Sequence, residues 1–178
     1  MASVNTLCKS VLNVKNTVIK NCNLYSDKNG VKHIRIQARP NKWHENNCPF
    51  CHKSCPVYDK HSSRPTIWRG LDWGGILVEV EYQTHRIICL EHGVYVAEVP
   101  WAYPGSRFIK DFDLTVAWFA SYLPRSTTSY FMRVDWETVG RCVNRPLHDL
   151  EPERSRRLDG LVNIGIDETS YKKGHKYI

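Results

Sequence analysis

Cys48-Pro49-Phe50-Cys51 and Cys89-Leu90-Glu91-His92-Gly93 are the two stretches from which this sequence is best read. Each sets two soft or borderline metal ligands with two residues between them, so that one tight turn can present both. Thirty-seven residues lie between Cys51 and Cys89. That is enough for a hairpin that carries the second pair back to the first. Zinc takes four such ligands in a tetrahedron. The expected set is Cys48, Cys51, Cys89 and His92 around a structural Zn2+, in a small antiparallel zinc-ribbon module. Cys55 and His52 stand beside the first pair, and either could replace one ligand. A lone Cys pair would suit a buried or free thiol equally well; two pairs separated by strands favour metal. Seven cysteines is an odd number, which speaks against a disulfide framework. Cys8, Cys22 and Cys142 sit in apolar patterns and read as small core residues.

Working outward, strands flank and separate the two pairs. Asp27-Lys28-Asn29-Gly30 signals a hairpin turn. In residues 31–39 that follow, Ile34, Ile36 and Ala38 share one face at period two, and Pro40 is expected to end the strand. Residues 64–71 and 76–88 flank a second turn signal, Asp72-Trp73-Gly74-Gly75. Ile76, Val78, Val80 and Tyr82 alternate with Leu77, Glu79, Glu81 and Gln83, as in an antiparallel strand with one solvated face.

Beyond residue 107 the period changes. Leu114, Ala117, Trp118, Ser121 and Tyr122 form a helical stripe that Pro124 stops. Ser126 is expected to cap a second helix through Met132, and Asp135 a third, with Glu137 near its positive end. Trp136, Val139, Cys142 and Val143 would be the buried face, until Pro146. Three short helices of this kind suit a helix-turn-helix whose last helix enters the major groove of DNA. Arg133, Thr138, Arg141 and Arg145 are the candidate DNA-contacting residues, since arginine can read guanine or hold phosphate. Trihelical packing without DNA contact is the competing reading.

The charge is unevenly spread. Residues 1–70 hold twelve Lys and Arg against three Asp and Glu, whereas residues 71–106 hold one against five. The formal net charge of +7 is therefore concentrated in the first third, which suits phosphate contacts. No stretch approaches the ~20 apolar residues of a membrane span, and the N-terminus lacks the pattern of a signal peptide. A cytoplasmic, nucleoid-associated chain without a membrane partner is expected.

From residue 162 onward the sequence reads Val162-Asn163-Ile164-Gly165-Ile166-Asp167-Glu168-Thr169-Ser170-Tyr171-Lys172-Lys173-Gly174-His175-Lys176-Tyr177. This resembles the opening of the catalytic domain in the ISL-three family of bacterial insertion-sequence transposases. The order of parts resembles that family too: a CxxC segment with a Trp-Gly-Gly turn, a helix-turn-helix, then a DDE catalytic domain. The resemblance implies that Asp167 is the first catalytic carboxylate of a ribonuclease-H-like fold. In an intact member, several such carboxylates hold Mg2+ for phosphodiester cleavage and strand transfer. It also implies DNA as partner, specifically the terminal inverted repeats, with a homodimer or an intact transposase as possible protein partners. One departure is His92, where the family usually has Cys. Another is that no later carboxylate of the set follows Asp167 in this sequence, so a truncated product, catalytically inactive alone, is expected.

The expected class is α+β: residues 1–42, a basic segment with a β-hairpin; 43–106, the zinc ribbon; 107–148, the helix-turn-helix; 149–161, a linker; and 162–178, the truncated first part of a catalytic domain. A stand-alone regulator that competes with intact transposase, and a zinc-ribbon protein-interaction module, are the alternative functions.

Overall fold

The computed structural model describes residues 4–12, 14–59, 64–150, 159–163, 165, 170–172 and 176–177. The described residues form a mixed α/β chain that divides into two compact units, residues 1–146 and 147–178. In chain order the first unit holds α1 (Val4–Leu12), β1 (Thr17–Ser26), β2 (Lys32–Pro40), β3 (Val57–Asp59), β4 (Thr66–Arg69), β5 (Ile76–Tyr82), β6 (Arg86–Cys89), β7 (Gly93–Val96), α2 (Lys110–Tyr122) and α3 (Arg125–Met132), and α4 (Trp136–Leu150) reaches its end.

β1 and β2 form the expected hairpin. The Asp27 carboxylate accepts from the backbone N–H groups of Asn29 and Val31, and Gly30 takes the positive φ of 78° that the turn requires. Pro40 is the last residue of β2, paired with Thr17, rather than the residue that stops it. β4 and β5 form the second hairpin. Trp73 and Ile76 exchange backbone hydrogen bonds across Gly74 and Gly75, and Gly74 has φ 62°.

The two hairpins then join. β2 pairs parallel with β5, giving one sheet in the order β1-β2-β5-β4. This sheet crosses the boundary expected at residue 42, because the apolar faces of β2 and β5 bury each other's neighbours. Ile36, Ala38, Val78 and Val80 are all buried there. The expected strand over residues 76–88 is in fact two: β5 ends at Tyr82, and β6 joins β3 and β7 in a separate sheet ordered β3-β6-β7.

Parallel pairing also fixes the electrostatics. Arg35 stands opposite Glu79 in the β2–β5 register. Arg35 donates to Glu79 over 2.7 and 2.9 Å, and Tyr25 donates to the same carboxylate over 2.8 Å. The acidic middle of the sequence thus folds onto part of its basic first third. Lys9, Lys20, Lys28, Lys32 and Lys42 are exposed or half-exposed.

The inner face of the four-stranded sheet shares its core with the helices. Trp101, with about 1% exposure, meets Trp68 and Tyr82 edge-on at ring separations of 5.6 and 5.7 Å. Phe112, Val116, Met132, Val139 and Cys142 complete the same cluster. α2 therefore buries a different stripe from the expected one. Phe108 stacks on Phe112 at 4.5 Å, and Asp113 pairs with Arg145, which together turn Trp118 and Tyr122 to solvent. α3 begins at Arg125 with Pro124 as its N-cap, not at Ser126. Proline suits this place, because the first helical N–H groups lack partners in any case. α4 runs through Pro146 to Leu150 instead of stopping there. Its missing N–H removes one rung of the ladder, and Pro146 itself is fully buried.

In the second unit, β8 (Ser170–Lys172) pairs antiparallel with β9 (Lys176–Tyr177). Residues 161–163 and 165 carry no regular structure. Asp167 and Glu168 lie outside the described residues.

Candidate metal centre and nucleic-acid surface

Cys48, Cys51, Cys89 and His92 come together at one end of the β3-β6-β7 sheet. Their ligand atoms all lie within 4.8 Å of one another, and the group could hold a metal ion. Local backbone explains the convergence. In the first turn, His52 N–H donates to the Cys48 carbonyl and Cys48 N–H to the Lys53 carbonyl. His52 itself takes the left-handed conformation, φ 57°. In the second, β6 and β7 pair Cys89 with Gly93, whose φ of 84° closes the turn that carries His92.

The Cys48 Sγ–His92 Nδ1, Cys89 Sγ–His92 Nδ1 and Cys51 Sγ–Cys89 Sγ separations are 3.6, 3.5 and 3.7 Å. Tetrahedral zinc, with bonds of ~2.3 Å to sulfur and ~2.0–2.1 Å to nitrogen, spaces its ligand atoms by roughly 3.5–3.8 Å. The donor set and its edges are compatible with structural zinc. The sulfurs are also tuned unequally. The hydrogen bond to His92 draws Cys89 down to about 6, against burial, and the Glu91 and His92 backbone N–H groups help. Lys53 N–H pulls the Cys51 thiol down, but burial and the crowding of Cys48 and Cys89 leave it raised. A cation would relieve that crowding.

The two neighbouring candidates are not among the four, although Cys55 packs against the same small cluster and interacts with Cys89. His52 faces Glu98 at 2.8 Å, and Cys55 donates to the Lys53 carbonyl at 3.4 Å. Around the four lies a very small apolar cluster, with Ile87 and Ala97 its only buried members besides Cys48 and Cys89 among the described residues. So little apolar area supplies little stability by itself.

The second candidate surface is α3, the three-residue turn Arg133-Val134-Asp135, and α4. The turn is held from both sides. Arg133 adopts the left-handed conformation, φ 51°, and its N–H caps α3 on the Ser129 and Tyr130 carbonyls. Arg69 of β4 donates to the Arg133 carbonyl over 2.9 Å, and the Arg133 guanidinium pairs with Asp72 of the Trp73-Gly74-Gly75 turn. Arg125 lies 3.5 Å over the Trp136 ring and donates to the Trp136 carbonyl, beside Gly140, where a side chain would collide with it.

The four residues expected to contact DNA separate. Arg141 is 59% exposed on the outer face of α4. Thr138 is buried and accepts a hydrogen bond from Arg141 over 2.8 Å. Arg145 turns inward to Asp113, with 18% side-chain exposure, so it is a core cation rather than a surface one. Arg133 is exposed but already paired. Asn144, which the sequence reading did not single out, is exposed three residues beyond Arg141, on the same side as Glu137. The i, i+4, i+7 spacing of Glu137, Arg141 and Asn144 was the available signal.

Over 174 residues, 97% of this chain, the sequence is 36% identical to the transposase for insertion sequence element IS1557 of Mycobacterium tuberculosis, in strains CDC 1551 and H37Rv alike. The chain is similar to an insertion-sequence transposase. It spans 39% of the length of each of these relatives. No family profile matches it, and no solved structure matches it. No helix among the described residues is long and apolar enough to cross a membrane.

Proposed function

We propose that this chain is the DNA-recognition portion of an insertion-sequence transposase, in which a zinc ribbon stands beside a helix-turn-helix. The observation that carries the reading is the identity over 97% of the chain to named transposases, joined to the pinned turn between α3 and α4. Zn2+ is the metal of Cys48, Cys51, Cys89 and His92, and it holds the β3-β6-β7 sheet together. α4 is the recognition helix. Its outer face offers Arg141, a fork that matches guanine or phosphate, and Asn144, an amide that matches adenine. The lysines along β1 and β2 supply phosphate contacts.

The DNA is the terminal inverted repeat of the element, and a second copy of the chain or an intact transposase is the protein partner. This places the chain at the nucleoid, in the cytoplasm. Asp167, by the family resemblance, is the first of the carboxylates that would share Mg2+ in the whole enzyme. The test is binding to a duplex of the element's end against a scrambled duplex, over a salt series. Preference for the element end, lost steeply as salt rises, is the expected result. No duplex binding even at low salt would reject the proposal.

A further inference from the structure

Between the β3-β6-β7 sheet and the main sheet runs a groove of about 980 Å3. That is the upper end of the ~300–1,000 Å3 typical of ligand sites, room for an extended segment rather than one small molecule. Phe50 and Tyr95 form one wall, packed edge to face at 4.8 Å, and both are about half exposed. The buried Trp68 also lines it, as do Tyr103, Arg107 and Arg64. The acidic residue on the groove, Glu98, is engaged by His52. Arg107 is exposed.

Exposed aromatic rings and guanidinium groups lining one groove are the chemistry of unpaired nucleotides. Bases stack on the rings regardless of their identity, while the cations follow the phosphates. Paired bases offer no open face to such a wall. We infer that this groove binds a short single-stranded segment of DNA, with bases against Phe50 and Tyr95 and phosphates at Arg107. The inference shares with the preceding section only the class of partner. It uses none of the α4 residues, so the two can fail separately. An extended peptide is the competing occupant, since β7 is an edge strand of its sheet, but it gives no use to the guanidinium groups.

The experiment measures the zinc-loaded full chain against a short fluorescein-labelled oligothymidylate and against a duplex. Tyr95→Ala should weaken oligothymidylate binding about tenfold, the usual effect of losing one stacking ring. Arg107→Ala should weaken it too and lower the salt slope by about 0.7. Both variants should keep duplex affinity and zinc content. In Tyr95→Trp, added oligothymidylate should quench the new indole, a readout independent of any loss of fold. Unchanged oligothymidylate affinity in both alanine variants overturns the inference. So does absence of quenching, or displacement of nothing by oligothymidylate when an extended peptide occupies the groove.

Discussion

Arg145 Nη1 lies 3.1 Å from Oδ1 of Asp113, a side chain with 0% exposure, so an ion pair inside the core ties α4 to α2. Burial pushes the Asp113 carboxyl above its ordinary 3.8, and the hydrogen bonds from Cys142 and Ser106 and the charge of Arg145 only partly offset it. An acid raised on folding holds its proton longer in the folded state. Its contribution therefore falls as pH rises through the window just above 3.8. Arg145→Ala should cost roughly 3–5 kcal/mol, because it leaves a buried carboxylate unpaired. Thermal melting checks this, and carboxyl NMR should show Asp113 rising further. An unchanged melt would return Arg145 to the surface.

Arg141 and Asn144 should behave in the opposite way. Both are exposed on α4, so their alanine variants should melt within about 0.5 kcal/mol of the parent. Each should weaken binding to the element-end duplex by about 1–3 kcal/mol if it reads a base. A phosphate contact would instead weaken all duplexes alike and lower the salt slope by about 0.9. Full retention of duplex binding in the double variant would remove α4 as the recognition helix.

Removing the metal should melt part of the first unit and leave the rest. The Cys48–Ile87–Cys89–Ala97 cluster is separate from the core that holds Trp101 and Phe112. Cys51→Ala or a strong chelator should release one zinc per chain and abolish amide protection in β6 and β7. Protection in β2 and β5 should persist. The loss is thus narrower than the whole of residues 43–106, the module anticipated from the sequence. Ligands must be deprotonated to bind, so affinity should fall as the solution is acidified. Loss of protection throughout both sheets would contradict two independent clusters.

The metal group was legible because its signal is local: two turns with fixed ligand spacing need only a hairpin to meet. Both hairpins were legible for the same reason, through Asp27–Gly30 and Trp73–Gly75. The β2–β5 pairing was not, since nothing near either strand announces a parallel partner 44 residues away from Arg35 at Glu79. The rotation of α2 was hidden because that helix has two apolar stripes. A distant cation, Arg145, helps select which is buried. The same long-range contact removed Arg145 from the DNA-facing set, and Asp72 engaged Arg133.

The Arg35–Glu79 pair should give the fold an acid limit. Burial alone would raise the Glu79 carboxyl, but hydrogen bonds from Tyr25 and Arg35 outweigh it and hold it below its ordinary 4.5. A carboxyl depressed on folding contributes stability above its unfolded value, and that stability is lost as pH falls through the folded one. Side-chain exposures of 19% and 32% mean that solvent still screens the pair. Its contribution is then about 1–2 kcal/mol, less than a fully buried pair would give. Urea unfolding of the parent and of Glu79→Gln should differ by that amount at neutral pH. As pH falls through the depressed folded value, below the ordinary 4.5, the two curves should converge, because protonation then does to the parent what the substitution does to the variant. A difference that survives into strong acid would mean that packing, and not charge, joins β2 to β5 at this register.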